Sequence, residues 1–583
     1  MSKIESGTST GSDLSKEEVS ILPEASKALF SAMAGLPGHE LTHFHRKIHW
    51  LIEVREDKRI VLPEHGFDTK LQLSKGEIRD LGRRAYGALF QVFTRLAAET
   101  SDPCMGSERE HTVIRDGKVL DLEGPQILKA LQASTDPNVA GRSVPELRKS
   151  QIEDNVPKIR MGPDLIRQSE SAFRDYDRTA QEIAKQWGAT ICGFAAVPSI
   201  GVEDLNKKFL TESDRFRALA AAVQAGLEEK DLLFDRCFKT RRGQIITSFN
   251  LDENGGGEVK IVKPDGEVFC MSNTSVLLES LMTGLQVHIP VADQEEYVGH
   301  HRVADMLVPA LIGISAASPL ICMEETGFVD SRNGFLWHTG VSPWRVGMLR
   351  SNWIADPLEQ LRDAAIAGPF ISPSLGGKLK GGSSNEDLVI LHETAKTIWP
   401  HNRTTLSPIF DPESGEISES IELRIESRSM SAGPTTTDEI AHTLFNTAAV
   451  LGLYRSLKER GVDIDAREHE KVSMELHPRK CQLNIVRTAV DGLDAQVDWI
   501  GGDQMTLGDL IRSDLLPIAK RYLAKEGNDP ADIDRVFASL EQRLSFDWSK
   551  VEPAAPPSIA QKFGMCPADV ILYMNHTLPL LDP

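Results

Sequence analysis

Four short stretches of this sequence hold charged side chains at the spacing of an extended strand. In Gly106-Ser107-Glu108-Arg109-Glu110 the two acids stand at i and i+2, which on a strand puts both carboxylates on one face about 6.5–7 Å apart. That spacing can hold two divalent ions side by side. Residues 105–113 read as this strand send Arg109, His111 and Val113 the other way. Residues 420–426 alternate Ile421, Leu423 and Ile425 with Glu422, Arg424 and Glu426, and residues 283–291 alternate Leu285, Val287 and Ile289 with Gln286 and His288. Ser150-Gln151-Ile152-Glu153-Asp154 contributes Glu153 from a fourth short run. If these runs are neighbours in one sheet, Glu108, Glu110, Glu153, Glu422, His288 and Arg424 converge on one surface, as a site for metal and phosphate requires.

Carboxylates are the hard oxygen donors that magnesium prefers, and a guanidinium beside them can stabilise the charge of a transferred phosphoryl group. His288 is then a nitrogen ligand or a donor to phosphate. Arg332 and Arg403 are further candidates for phosphate or a substrate carboxylate, because arginine binds such groups bidentately. Each run taken singly has a blander reading, the solvated side of an antiparallel sheet. On that reading Arg424 pairs with Glu422 or Glu426, His288 is an ordinary sheet residue, and Arg332 and Arg403 are surface charges.

The elements around these runs follow from periodicity. Residues 83–99, 164–186, 298–317, 438–458, 505–524 and 529–544 have helical apolar spacing, and 189–196 reads as a buried strand. Asp116-Gly117 supplies the backbone angles of a hairpin turn just after the first acidic run. Two strands around Asn254-Gly255-Gly256-Gly257 and a hairpin at Pro264-Asp265-Gly266 are expected between residues 245 and 271. The glycine-rich run 376–384, with Lys378 and Lys380, reads as a flexible loop or as a lid carrying lysines to phosphate. It lacks the spacing of a phosphate-binding P-loop. His39, His43, His45 and His49 lie close together, without an acid or cysteine at a spacing that would mark a metal site.

A chain of 583 residues is longer than one compact core usually allows, so one large catalytic unit with appended segments, or two to three subdomains, is expected. Net charge is −20 and pI about 5.3, which argues against a general nucleic-acid surface, since backbone affinity needs clustered Lys and Arg. The 7 cysteines are scattered, with no CxxC pair, and read as reduced thiols. No secretory signal or bilayer-length apolar run is present. A cytoplasmic protein with no membrane or nucleic-acid partner is expected; homo-oligomerisation is left open.

In order along the chain, these motifs resemble the glutamate–cysteine ligase family, in its carboxylate–amine ligase branch. Gly106-Ser107-Glu108-Arg109-Glu110 resembles the family's Gly-x-Glu-x-Glu strand, followed by the Asp116-Gly117 turn. Ser150-Gln151-Ile152-Glu153 resembles its next acidic strand, and Gly284-Leu285-Gln286-Val287-His288 its Gly-x-His-x-His strand, with Gln286 at the first His position. Residues 311–332 resemble its Ser-Ala-x-Ser-Pro…Thr-Gly…Arg segment, and Ile421-Glu422-Leu423-Arg424 its Val-Glu-x-Arg strand.

The resemblance implies an α+β, glutamine-synthetase-like fold, in which a curved antiparallel sheet forms a funnel with helices packed outside. It also implies ATP and Mg²⁺ as cofactors, with Glu108, Glu110, Glu153, His288 and Glu422 on the metal and Arg424, Arg403 and Arg332 on the nucleotide. Arg424 and Glu110 would be catalytic. The implied reaction joins glutamate, through an acyl phosphate, to cysteine or another amine. The expected division is a tail (1–22), a mainly helical extension (23–104), the catalytic domain (105–545) and a C-terminal extension (546–583). The competing expectations are a non-catalytic scaffold that keeps the ligase fold and, less well matched, a guanidino kinase.

Overall fold

The computed structural model describes residues 59–61, 75–336, 353–367, 384–395, 399–407, 420–466 and 476–545, apart from 220–233 and shorter gaps within those ranges. The expected tail, the histidines at 39–49, residues 376–383 and the C-terminal extension lie outside the described residues. The centre of the fold is an antiparallel sheet of β1 (Cys104–Arg115), β2 (Ser143–Pro145), β3 (Gln151–Arg160), β4 (Gly284–Pro290), β5 (Asn402–Ser407) and β6 (Glu422–Ser431). Their order across the sheet is β5-β6-β4-β1-β3-β2. Two short strands, Lys118–Val119 and Thr190–Cys192, pair with the far half of β1. Asp116 adopts φ +50° in the turn between β1 and Lys118, the left-handed geometry that an Asp-Gly hairpin supplies.

One face of the sheet is covered by helices. Leu285, Val287 and Ile289 of β4 and Leu423 and Ile425 of β6 share the main core with α3 (Tyr297–Ser315) and α4 (Thr436–Glu459). Both helices are buried around most of their circumference, as inner-layer helices are. Outside them lie α5 (Leu516–Lys525) and α6 (Pro530–Ser545), both packed on α4. α2 (Leu165–Lys185) packs on α4 and β3, whereas α1 (Lys75–Phe93) packs on the helices Glu359–Ala367 and Ser384–Ala395. Arg109 points into this helix side. Its guanidinium reaches Glu439 of α4 at 2.7 Å, Asp177 of α2 at 2.8 Å and Asp154 of β3 at 3.1 Å, while Arg142 takes Asp154 from another direction at 2.8 Å. Arg109 and Asp154 are 1% and 0% exposed, so charges this deep persist only because each is paired.

The fold is α+β with an antiparallel sheet and helices against one face, as the sequence leads one to expect. The two strands expected around residues 254–257 are Gly243–Leu251 and Gly257–Val262, and Val268–Thr274 completes the hairpin at Pro264-Asp265-Gly266; Phe234–Thr240 and Arg59–Val61, the latter parallel to Val268–Thr274, extend this sheet beyond the expectation. Residues 505–524 are not one helix. Thr506 caps a short turn by accepting from Asp509, and a π turn over Ile511–Leu515 precedes α5, whose first turn contains Pro517. Proline has no N–H for the carbonyl four residues back, so the ladder widens there. β5 was not anticipated, because Asn402-Arg403-Thr404-Thr405-Leu406-Ser407 has one aliphatic residue and no apolar alternation.

Candidate active site

The other face of the sheet is open, and its register arranges the polar side chains in rows about 6.5–7 Å apart. Glu110 stands opposite Glu153 of β3. One row along, Glu108 faces Asn155 on β3 and Gln286 on β4. In the next, Gly106, His288, Glu426 and Arg403 line up across four strands. Arg424 follows, between Pro290 and Thr405. Glu422, opposite Ser407, is last.

The first row contains an acidic cluster. Oxygens of Glu110, Glu146 and Glu153 lie within 4.8 Å of one another. Glu146 follows β2, and its N–H bonds the carbonyl of Gln151 at 3.4 Å, which turns the chain back into β3. Glu110 is oriented from β4: the Gly284 N–H donates to one carboxylate oxygen at 2.6 Å and the Gln286 amide to the other at 2.7 Å. A Cβ at 284 would come within 2.4 Å of the Arg332 guanidinium, so glycine there lets Arg332 keep its place. Burial, and then the charges of Glu108, Glu146 and Glu110, push Glu153 well above the usual carboxylate range. Burial and then the Glu110 charge push Glu146 up to about 7. Burial also raises Glu110, against the pull of Arg332 and Arg428. Three buried carboxylates with raised pKa values, Glu110 lifting both of the others, are a donor set that a divalent cation relieves, and all are hard oxygens suited to magnesium.

The middle rows are differently balanced. His288 Nε2 lies 3.2 Å from Glu108. Against the burial that pushes it up, this contact leaves Glu108 lowered. His288 is raised, because Glu108 and Glu426 outweigh its burial. Glu426 is gripped by Arg403, at 2.5 and 3.0 Å, and by Arg428. Although burial opposes them, these guanidinium groups hold it well below the usual carboxylate range. Arg403 and Arg428 are therefore committed to Glu426. Arg332 is committed to the backbone of β6, donating to the carbonyls of Arg428 and Ser429 at 3.1 and 3.4 Å.

The sequence-predicted residues thus all reach the site's side of the molecule, in separate places. Glu110 and Glu153 meet, Glu108 and His288 form a neighbouring pair, and Arg403 and Arg424 line a cleft of about 330 Å³ with them. Glu422 is not brought to the cluster. It stands four rows from Glu110, about 27 Å along the strands at a rise of about 3.4 Å per residue, and its contact is Arg424 at 3.5 Å. The Ile-Glu-x-Arg pattern occurs again as Ile425-Glu426-Ser427-Arg428, and this second copy sits beside His288.

Glu146, Arg428 and Lys158 were missed by the sequence reading. The repeat of the pattern was the available signal for Arg428. Glu146 gave none, because β2 is three residues long and contains Pro145. Lys158 lines the cleft with Arg424, and its ammonium makes no hydrogen bond or ion pair among the described residues. A smaller hollow of about 40 Å³ adjoins the acidic cluster and includes Glu110, Glu146, Gln151 and Arg215 in its wall. No helix among the described residues is long and apolar enough to cross a membrane.

Residues 104–351 match the model of the Glutamate-cysteine ligase family 2. The resemblance is borne out over that span, which contains the Glu108 and Glu110 strand, Glu153, the His288 strand and residues 311–332. No curated protein matches the chain. Among solved structures, glutamate–cysteine ligase from Francisella tularensis in complex with AMP aligns at 11% identity and a TM-score of 0.45, over 83% of this chain and 89% of that one. A bifunctional glutathione synthetase from Pasteurella multocida aligns at 10% identity and 0.39, over 86% of this chain and 55% of that one. The ligase PafA in complex with the ubiquitin-like protein Pup aligns at 11% identity and 0.32, over 77% and 65%.

Proposed function

Taking the family match as premise, we propose that this protein joins the γ-carboxylate of glutamate to an amine at the expense of ATP, with cysteine as the default acceptor. A carboxylate oxygen of glutamate attacks the terminal phosphorus of ATP and ADP leaves. The amine then attacks the acyl carbon, loses a proton, and phosphate leaves with the bond it held. The observation that carries the proposal is the meeting of Glu110, Glu146 and Glu153 within 4.8 Å beside a cleft lined by Arg424 and Lys158. Magnesium held by those three carboxylates supplies charge neutralisation to the nucleotide phosphates when bound.

The protein's own groups divide the remaining work. Arg424 and Lys158 are the cleft cations least engaged by the protein, Arg424 having one contact of 3.5 Å, so they are free to meet a polyphosphate. Arg403, fixed by Glu426, gives the wall of the cleft a positive edge without becoming a mobile ligand. Gln286 and Gly284 hold Glu110 in one orientation, so the carboxylate need not reorganise when charge develops. Arg332 anchors β6 beneath the site.

Mass spectrometry of mixtures containing ATP, Mg²⁺, glutamate and a panel of amino acids and amines tests this directly. ADP, phosphate and one γ-glutamyl product are expected to appear only when glutamate, an amine and Mg²⁺ are all present. Phosphate release that is indifferent to glutamate would contradict the proposal.

A further inference from the structure

Glu110 and Glu153 stand opposite each other on paired strands, so the ladder between β1 and β3 holds them together. Glu146 has no such support. It belongs to the five residues that join β2 to β3, and a turn yields to repulsion between like charges more readily than a paired strand. Its carboxylate nonetheless lies within 4.8 Å of the other two, so the turn is held from outside the cluster.

Arg148, two residues further on, is 1% exposed and among the largest fully buried side chains of the fold. Its Nε donates to Asp121 Oδ1 at 2.9 Å, and its Nη2 donates to Asp121 Oδ2 at 2.7 Å and to the Asp204 carbonyl at 2.9 Å. Asp121 also accepts from the Ser150 hydroxyl at 2.8 Å, so one carboxylate grips the turn at two points. On the other flank the Thr211 hydroxyl donates to the Glu146 carbonyl, the Thr211 N–H to the Leu147 carbonyl at 2.8 Å, and the Lys149 N–H to the Phe209 carbonyl at 2.8 Å. The Leu147 N–H then fixes the Glu146 carboxylate itself, at 2.5 Å. Gly124 lets this packing close, since a Cβ there would come within 2.2 Å of the Lys149 carbonyl.

We propose that Arg148, paired with Asp121, is a positioning residue that holds Glu146 against the charge of Glu110 and Glu153, so that the ion site is assembled before an ion arrives. A planar fork on a carboxylate fixes direction as well as distance, which a turn bearing one ligand needs. Neither Arg148 nor Asp121 lines the cleft or the small hollow, so the pair acts through the backbone between them and Glu146. The inference rests on the ion-site reading above and adds a group that does not touch the ion.

Mn²⁺ binding without nucleotide, followed by electron paramagnetic resonance, tests this independently of turnover. In Arg148→Met the affinity should fall about 10- to 100-fold, the range for removing a group that orients a metal ligand. Arg148→Lys, which keeps the charge and loses the fork, should fall between. The same exchange at Arg302, an equally buried arginine tied to the carbonyls of Ile354, Ile464 and Ala466, should not alter binding. The loss should run through Glu146, so that Arg148→Met adds nothing further in protein already bearing Glu146→Gln. If Arg148→Met does not fold, the double variant Asp121→Leu/Arg148→Met, which leaves no lone buried charge, should show the same loss. Undiminished affinity in the Arg148 variants, an equal loss in Arg302→Lys, or a full further loss on top of Glu146→Gln would overturn the assignment and leave the ion site standing. No binding to the wild-type protein would remove both.

Discussion

Arg109 and Glu110 are adjacent in the chain and belong to opposite charge systems. On the helix side of the sheet, Arg109 and Arg142 gather Asp154, Asp177 and Glu439, so every carboxylate meets a guanidinium at hydrogen-bond distance. On the open side, Glu110, Glu146 and Glu153 meet one another, and among the described residues no arginine or lysine forms an ion pair with any of the three. The first arrangement is that of a buried ionic network whose parts are costly to remove singly. The second spends folding energy on repulsion, and a divalent cation would recover it. Burial alone does not distinguish them, since Arg109 and Glu110 are both buried; the balance of charge does.

The largest effect should come from breaking the helix side. Arg109→Met strands Glu439 in the interior and leaves Asp154 to Arg142 alone, with an expected loss of about 3–5 kcal/mol of stability, read from the urea midpoint. Glu110→Gln, one residue away, should leave that midpoint unchanged or slightly higher while ligation falls on the order of 100-fold or more, as loss of a metal-binding carboxylate implies. Equal destabilisation by both variants would erase the contrast.

Part of this contrast is legible in the sequence. The period of two puts Glu108 and Glu110 on one face of residues 105–113 and Arg109 on the other, and the same reading orients Glu153, His288 and Arg424. It does not reveal register, which is set by pairings between strands far apart in the chain. Residues 421–428 contain Ile-Glu-x-Arg twice, and only pairing with β4 selects Glu426 and Arg428 for the row of His288. Glu146 depends on a two-sided turn between β2 and β3, and β5 on a polar strand without alternation; neither leaves a periodic trace. The long helices, by contrast, are legible because an apolar stripe extends over many turns, as in the expected 164–186 against the observed Leu165–Lys185.

A smaller effect sharpens the picture of the cleft. Arg424→Met should raise KM for ATP about tenfold, on the scale of a charge-assisted hydrogen bond. Lys158→Met, at an exposed position, should raise it about threefold, within the range of surface charge contacts. Neither should alter the urea midpoint; unchanged KM values in both variants would assign the cleft to another ligand.

The two sides should also respond to pH with opposite sign. In the folded, metal-free protein Glu146 titrates at about 7, above the 4.5 of an unperturbed Glu, so the folded state holds a proton that the unfolded state releases. Its contribution to stability is complete below pH 4.5 and is lost as pH rises toward 7. Glu439 is held down, chiefly by Arg109 against the effect of burial, so its contribution is present above 4.5 and is lost as pH falls below it. Thermal denaturation between pH 5 and 7.5 should therefore show declining stability in chelator. Added Mg²⁺ should flatten that decline and leave the acid limb unchanged. A decline that Mg²⁺ does not alter would place its cause outside the acidic cluster.

The most direct measurement is Mn²⁺ binding followed by electron paramagnetic resonance at neutral pH without nucleotide, comparing the wild-type protein, Glu153→Gln and Glu422→Gln. Binding to the wild type, weakened more than about tenfold in Glu153→Gln and unaltered in Glu422→Gln, is the expected result. Undiminished binding in Glu153→Gln, or its loss in Glu422→Gln, would contradict an ion site built from Glu110, Glu146 and Glu153.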